Sequence, residues 1–361
     1  MMRRVTRKIF IRNSNLIIGG GSPLPIQGMT NKPLTDIEGN VNQINEMARR
    51  GASLARVAVR TLEEADCIPQ VLKSSNIPLC ADIHFDYRIA LKAIENGINK
   101  IRLNPGNITD RKKVEEVVRL AAKKSVPIRI GVNSGSVDKK KYPVVTPEAL
   151  VDSALFHLKI LEDLNFDQAL VSIKSSDIFQ TVEANRMFAK LNDYPLHLGL
   201  TEAGYGLQSV IQSSVAIGSL LLDGIGDTLR VSMTGDPVEE ISVAREILKS
   251  TGHIKSGIKI ISCPTCGRTD TSINLEEIAR NVDRELSSRF EKILNEKGRM
   301  LSIAVMGCEV NGPGEASHAD IGIAGARNGE FILFAGGQSL RRIKENEIIE
   351  SLSAEASIII S

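Results

Sequence analysis

The sequence predicts an α/β chain in which a (β/α)8 TIM-type barrel is followed by a smaller α+β unit. Three observations predict it. Short apolar runs ending in polar or small residues recur eight times between Pro25 and Ser232, each followed by a helical stretch. The 361 residues exceed one average domain but accommodate a barrel of about 250 residues and a second unit. Three of the five cysteines, Cys263, Cys266 and Cys308, gather in the last third, beyond the repeats.

A hairpin opens the chain, with Lys8 to Ile11 and Leu16 to Ile18 flanking Asn13-Ser14-Asn15, and is placed to plug the barrel bottom. Strands are then expected at Ile26 to Met29, Ala55 to Val59, Leu79 to Ile83, Lys100 to Leu103, Ile128 to Val132, Gln168 to Ile173, His197 to Leu200 and Thr228 to Val231. Between them apolar residues recur three and four apart, as in Val114, Val117, Val118, Ala121 and in Ala149, Leu150, Ala154, Leu158. That is the period of a helix with one buried face. An open doubly wound sheet is the competing architecture, and eight units favour closure. Residues 1–255 are assigned to the barrel and 256–361 to the second unit. There, Ile258 to Ser262 is expected as a strand that delivers Cys263. Asn274 and Glu277 offer a capping pair for a helix through Leu294, with Leu275, Ile278, Val282, Leu286 and Ile293 on one face. Leu301 to Met306 is a strand that delivers Cys308, Ile321 to Ala324 and Glu330 to Ala335 a hairpin, and a last helix starts from Lys344.

Composition narrows the function classes. Hydrophobic residues make up 42% and the net charge is only +2, so the chain buries a core and carries no nucleic-acid or membrane footprint. No run approaches the roughly 20 apolar residues that span a bilayer, and the opening MMRRVTRKIFIRN lacks the apolar centre of a signal peptide. Scattered, odd-numbered cysteines fit a reducing compartment. A cytoplasmic protein is expected.

The motifs Cys263-Pro264-Thr265-Cys266-Gly267-Arg268 and Gly307-Cys308-Glu309-Val310-Asn311-Gly312-Pro313-Gly314-Glu315 bring three thiols and no fourth. Structural zinc takes four Cys or His ligands, and iron–sulfur clusters normally take four thiolates. Glu315 is the best substitute for the missing thiolate, a hard oxygen ligand that exchanges more readily. Glycine and proline around Cys308 suit a backbone wrapped closely about a cluster. A zinc knuckle finished by His318 or His253 competes with this reading. Cys67 and Cys80 lie far upstream among apolar residues and read as small buried hydrophobes.

Active sites of such barrels lie at the carboxyl ends of the strands. There the sequence places Arg56, Asp82 with His84, Arg102 with Asn104, Arg129 with Asn133, Lys174, His197 with Glu202, and Arg230 with Ser232. Cations converging from different strands repel one another unless they share an anion. With this many donors a diphosphate suits them better than a monophosphate. Glu202, a buried carboxylate just after the seventh strand, either relays a proton or pairs with a neighbouring arginine. His84 either hydrogen-bonds substrate or is structural. Lys139, Lys140 and Lys141 read as a solvated loop, and His157 as helix packing.

The ordered set Asp82-Ile83-His84-Phe85, Ile101-Arg102-Leu103-Asn104-Pro105-Gly106-Asn107, Arg129-Ile130-Gly131-Val132-Asn133, Ser172-Ile173-Lys174-Ser175-Ser176, Leu198-Gly199-Leu200-Thr201-Glu202-Ala203-Gly204 and the two cysteine motifs resembles the bacterial 4-hydroxy-3-methylbut-2-enyl diphosphate synthase family, in its short two-domain form. The likeness spans nearly the whole chain. It implies one 4Fe-4S cluster per chain, held by residues matching Cys263, Cys266, Cys308 and Glu315. It implies as substrate 2-C-methyl-D-erythritol 2,4-cyclodiphosphate, opened and dehydrated by two electrons from flavodoxin or ferredoxin in non-mevalonate isoprenoid synthesis. Family diphosphate-binding positions match Arg56, Arg102, Arg129, Asn133, Lys174 and Ser232, and the proton donor matches Glu202. Asp82, His84 and Asn311 match other residues lining the pocket. A homodimer is implied, the barrel of one protomer facing the cluster domain of the other. Three further classes stay open on the residues alone: a zinc-stabilised barrel with aldolase-like or transferase chemistry on a phosphorylated or pterin-like ligand, a redox-sensing cluster protein, and a scaffold that docks a redox partner.

Overall fold

A computed structural model describes residues 3–84, 86–103, 110–137, 140–269, 273–308, 318–326 and 329–361. The chain divides into two compact units, Met1–His253 and Ile254–Ser361.

In the first unit a hairpin, β1 (Ile9–Phe10) and β2 (Ile17–Ile18), precedes the repeats. Six parallel strands follow in sequence order: β3 (Gln27–Met29), β4 (Leu54–Val59), β5 (Leu79–Ile83), β6 (Lys100–Leu103), β7 (Ile128–Asn133) and β8 (Ala169–Lys174). Two more, β9 (His197–Leu198) and β10 (Thr228–Leu229), pair with each other. The seams are single bridges. Val171 meets Leu196 on one side and Ile26 meets Leu229 on the other, with Val171 N donating to Pro195 O at 2.9 Å and Leu229 N to Pro25 O at 3.3 Å. The sheet is therefore a closed parallel barrel.

The crossover helices are α1 (Ile37–Arg49), α2 (Leu62–Ser74), α3 (Tyr87–Glu95), α4 (Arg111–Lys123), α5 (Pro147–Asp163), α6 (Ile178–Leu191), α7 (Gly206–Leu222) and α8 (Pro237–Ser250). All but α7 begin at an Asp or Thr whose side chain accepts a backbone N–H of the first turn. Such a cap contributes about 1 kcal/mol and fixes where each βα loop ends. The helix ring closes where α8 packs on α1 and β3.

The hairpin seals the bottom: Ile9, Ile11 and Ile18 pack with Leu54, Cys80 and Leu170. Each fully buried Ile or Leu contributes about 1.5–3 kcal/mol. Beside it the N-terminal segment is strapped to a distant turn. Thr6 Oγ1 donates to Asp227 Oδ1 at 2.8 Å, Arg3 reaches the same carboxylate, and Arg4 donates to the carbonyls of Ala189, Asn192 and Tyr194.

The second unit is a five-stranded sheet in the order β11 (Gly257–Ser262), β12 (Met300–Met306), β13 (Ile321–Gly325), β14 (Glu330–Ala335), β15 (Gln338–Lys344). The first three are mutually parallel and the last two antiparallel. Helices α9 (Leu275–Glu296) and α10 (Ile348–Ile360) cover it. Asn274 caps α9 by accepting from Glu277 N at 3.2 Å.

Several expectations need correction. Leu294 rather than Ile293 completes the buried face of α9, since Ile293 is exposed. The expected start of the last helix at Lys344 instead ends strand β15, an exposed edge that buries only Ile343 and so carries no apolar alternation. Cys67 is half-buried on α2 rather than a core residue, whereas Cys80 is fully buried. His157 is buried on α5, and burial holds its imidazole down at about 4.

Candidate active site

A cavity of about 310 Å³ opens at the carboxyl ends of the barrel strands, lined by Arg56, Asp82, His84, Arg102, Arg129, Asn133, Ser172, Lys174, Leu200, Thr201, Glu202, Arg230 and Ser232. The strand period of two makes this floor. Residues 56, 82, 102, 129, 172 and 174 project inward from β4 to β8, and the ladder sets Asp82 beside Arg102 and Arg102 beside Arg129.

Asp82 is the hub. Arg102 Nη1 donates to its Oδ1 at 3.0 Å, Arg56 Nε stands 3.7 Å from Oδ2, and His84 Nε2 lies 3.4 Å from Oδ1. Burial alone would raise its pKa, but Arg56, His84, Arg102 and Arg129 together hold the carboxyl far below the usual range. Arg129 and Lys174 are less satisfied. Arg129 is almost fully buried and donates from Nη1 to Ser172 Oγ at 3.0 Å, while its Nε and Nη2 are buried without a partner. Burial, then Arg129, Arg56, Arg230 and Arg102, push the Lys174 ammonium well below its ordinary value. Arg230 is held from behind by Glu240 of α8, donating Nε to Oε2 at 3.1 Å and Nη2 to Oε1 at 2.9 Å. Glu240 also accepts from Met233 N at 2.9 Å, so it brackets Ser232 on both sides.

Two glycines make the crowding possible. A Cβ on Gly131 would stand 2.5 Å from Arg102 Nε, and one on Gly199 would stand 2.6 Å from Lys174 Nζ. Any side chain there would displace a cation.

His197 does not reach this mouth. It is the first residue of β9, at the amino end of the strand, and its ring lies fully buried inside the barrel, where burial and then Arg129, Lys174, Lys100 and Arg56 depress its protonation. Glu202 is exposed at the rim, not buried, because the loop after β9 takes it through a left-handed φ of +56°. A strained backbone at a non-glycine residue marks a position held by its surroundings. Five basic side chains, Arg56, Arg102, Arg129, Lys174 and Arg230, outnumber Asp82, Glu202 and the Glu240 behind Arg230 around a pocket whose floor is buried. Such a pocket is stabilised by a polyanion.

In the second unit the thiols end neighbouring parallel strands. Cys263 follows β11, Cys308 lies two residues beyond β12, and the two strands pair through Ser262 and Val305. Gly307 N donates to Cys263 Sγ at 3.2 Å. A Cβ on Gly307 would stand 2.6 Å from Thr269 Oγ1, itself a buried hydroxyl without a partner. Cys266 is exposed, and the backbone N–H and guanidinium of Arg268 lower its thiol toward the thiolate. Thiolate donors, an orphan hydroxyl and a glycine-lined cradle suit an iron–sulfur group. Among the described residues no three His, Cys, Asp or Glu side chains already stand in metal-holding geometry. Glu315 and Asn311 lie outside the described residues, as do Phe85, Asn104 to Asn107 and Lys139.

Known proteins match this arrangement along its length. Residues 6–245 match the GcpE TIM-barrel domain and residues 259–357 the GcpE protein C-terminal domain. The chain belongs to the GcpE family. Among curated members it is 50% identical over 355 residues to 4-hydroxy-3-methylbut-2-en-1-yl diphosphate synthase (flavodoxin) of Clostridium perfringens, covering 98% of each chain. The enzyme of the same name from Geobacter sulfurreducens is 47% identical over 363 residues, covering 100% of this chain and 99% of that one. Among solved structures, dihydropteroate synthase of Yersinia pestis aligns with a TM-score of 0.50 at 13% identity, over 68% of this chain and 98% of that one. The Plasmodium falciparum HPPK-DHPS bound to pterin and p-hydroxybenzoate aligns at 0.51 and 14%, over 68% and 51%. At that identity the likeness concerns the barrel fold alone.

On this GcpE-family barrel, sequence pattern alone gives Glu240 and Ser172 no role. Ser172 stands two residues before Lys174 on one strand face, a parity that could have revealed it. Glu240 carries no such signal, since Glu239 beside it is equally acidic and equally close to the start of α8.

Proposed function

We propose that the chain is a 4-hydroxy-3-methylbut-2-en-1-yl diphosphate synthase. It reductively opens and dehydrates 2-C-methyl-D-erythritol 2,4-cyclodiphosphate to (E)-4-hydroxy-3-methylbut-2-enyl diphosphate in isoprenoid biosynthesis. One observation carries this reading: five basic side chains converge on one small cavity against the two buried carboxylates of Asp82 and Glu240. A cyclic diphosphate supplies the missing negative charge.

In this reading Arg56, Arg102, Arg129 and Lys174 bind the phosphate oxygens, with Asn133 and Ser232 adding neutral hydrogen bonds at the rim. Asp82 holds two of the guanidinium forks, so the donors are oriented before substrate arrives. Ring opening breaks a carbon–oxygen bond and frees a terminal phosphate, which gains negative charge as the bond breaks. The prepaid cation array stabilises that gain more than it stabilises the intact ring. His84 lines the same pocket and is assigned to substrate binding, as is Asn311 by its match to the family motif. Glu202 at the rim carries the proton for the oxygen that leaves as water. Cys263, Cys266, Cys308 and Glu315 would hold one 4Fe-4S cluster, whose chemistry is the one-at-a-time supply of two electrons received from flavodoxin or ferredoxin. We assign residues 1–255 to substrate binding and 256–361 to the cluster, and place the enzyme in the cytoplasm as a homodimer. The exposed apolar stripe Leu207, Ile211 and Val215 on α7 supports self-association. Among the described residues no helix is long and apolar enough to cross a membrane.

Anaerobic purification tests the proposal. Brown protein with about four irons and four sulfides per chain, turning over the cyclic diphosphate with reduced flavodoxin, is the expected result. Colourless protein that holds one zinc and resists cluster reconstitution overturns it.

A further inference from the structure

We infer that Lys100 is an uncharged amine in the ligand-free barrel, and that the barrel takes up a proton there when a polyanion enters the mouth above it. This role presupposes that the mouth is a diphosphate site.

Lys100 opens β6 two residues before Arg102, so both side chains project inward from the same face of the strand, Lys100 one layer deeper. It is fully buried. Among the described residues its only hydrogen bond runs from Nζ to Gln27 Oε1 at 3.4 Å, and no carboxylate stands within ion-pair distance. The groups around it are Cys80 and Asp82 of β5, Arg56 of β4, Gln27 of β3, Arg129 of β7, and His197 of β9, which also feels Lys174 of β8. Asp82 is the one carboxylate among them, and it is already engaged by Arg56, Arg102 and His84.

The hydrogen-bond inventory of Lys100's layer and the one above it is lopsided. Gln27 Nε2, Arg102 Nε, and Arg129 Nε and Nη2 are buried donors without partners, and His197 Nε2 is likewise unpartnered. An ammonium would add three donors to a layer that already has too many. A neutral amine offers a lone pair instead. Electrostatics act in the same direction: burial, opposed by Cys80 and reinforced by Arg129 and Arg56, brings Lys100 down to about 7.

A polyanion bound by Arg102, Arg129 and Lys174 reverses the balance. Its charge offsets the surrounding cations, and Lys100 takes a proton from solvent. Affinity for the polyanion then falls as pH rises above 7 more steeply than the ligand's own titration requires.

Titration calorimetry of inorganic diphosphate into the anaerobically prepared holoenzyme at pH 7.5, in buffers of low and high ionisation enthalpy, counts the protons. The comparison is between wild type and Lys100→Met, with Lys100→Gln, which keeps a partner for Gln27, as the second substitution should the methionine chain fail to fold. On binding diphosphate, wild type is expected to take up more protons than Lys100→Met, by roughly half a proton or more. Lys100→Met should keep diphosphate affinity within about tenfold of wild type. Equal proton uptake in wild type and a folded Lys100 substitution overturns the role of Lys100 while leaving the diphosphate site in place. No binding heat with wild type overturns the diphosphate site, and the role of Lys100 with it.

Discussion

Arg56, Arg102 and Arg230 at the barrel mouth are braced by the buried carboxylates of Asp82 and Glu240, whereas Cys266 in the second unit is exposed, with Arg268 and loop backbone beside it. Both groups of residues stand at the carboxyl ends of parallel strands, yet the first is braced by ion pairs and, among the described residues, the second has no metal-holding arrangement. The difference follows from ligand chemistry. Guanidinium groups crowded in a buried pocket need fixed counter-charges to stay there at all, while the exposed thiol of Cys266 loses little in solvent.

The largest effect tests whether the two sites are separable. Cys308→Ser is expected to lose bound iron and sulfide and reduce turnover to background, with calorimetric diphosphate binding kept within about twofold. Parallel loss of diphosphate binding would break the contrast. A smaller effect probes the bracing itself. Asp82→Asn leaves Arg56 and Arg102 without their buried counter-charge and should cost about 3 kcal/mol of stability in denaturant melts at pH 7. The folded carboxyl titrates below its unfolded value, so its contribution is present above about pH 4 and disappears as pH falls beneath that. Wild-type stability should therefore drop through the acid range while that of Asp82→Asn changes less. Equal stability of the two proteins would mean that the cations do not depend on Asp82. The smallest effect lies at the rim, where Glu202→Gln should lower kcat about 10- to 100-fold with KM nearly unchanged. A normal kcat would reduce Glu202 to a wall of the cavity.

Most of the barrel was legible because parallel strands buried on both faces are short apolar runs, and the spacing of Arg56, Asp82, Arg102, Arg129 and Lys174 along them places the charges at one end. What escaped depends on tertiary approach. Glu240 matters because α8 brings it behind Arg230, and nothing local distinguishes it from Glu239. The exposed setting of Glu202 comes from a backbone φ that no glutamate advertises. His197 opens its strand rather than ending it, which places its ring inside the barrel and not at the mouth. In α9 a 3.6-residue period returns Ile293 to the azimuth of Leu275, so the burial of Leu294 in its place is a tertiary effect that periodicity does not carry. Strand β15 is an edge, charged and exposed, and edges are kept so to prevent sheets from adding to one another. Lys100 shares the parity of Arg102, a signal present in the sequence but silent about charge state.

The strap joining Thr6 to Asp227 links residues 221 positions apart. A contact so long in sequence makes its loop-closure entropy due late, after most of the barrel has been synthesised. The barrel cannot close on Ile26 before Leu229 has been synthesised. Barrel closure awaits the arrival of Leu229 and Asp227, so the mutually repelling cations are brought to their final spacing only near the end of barrel synthesis.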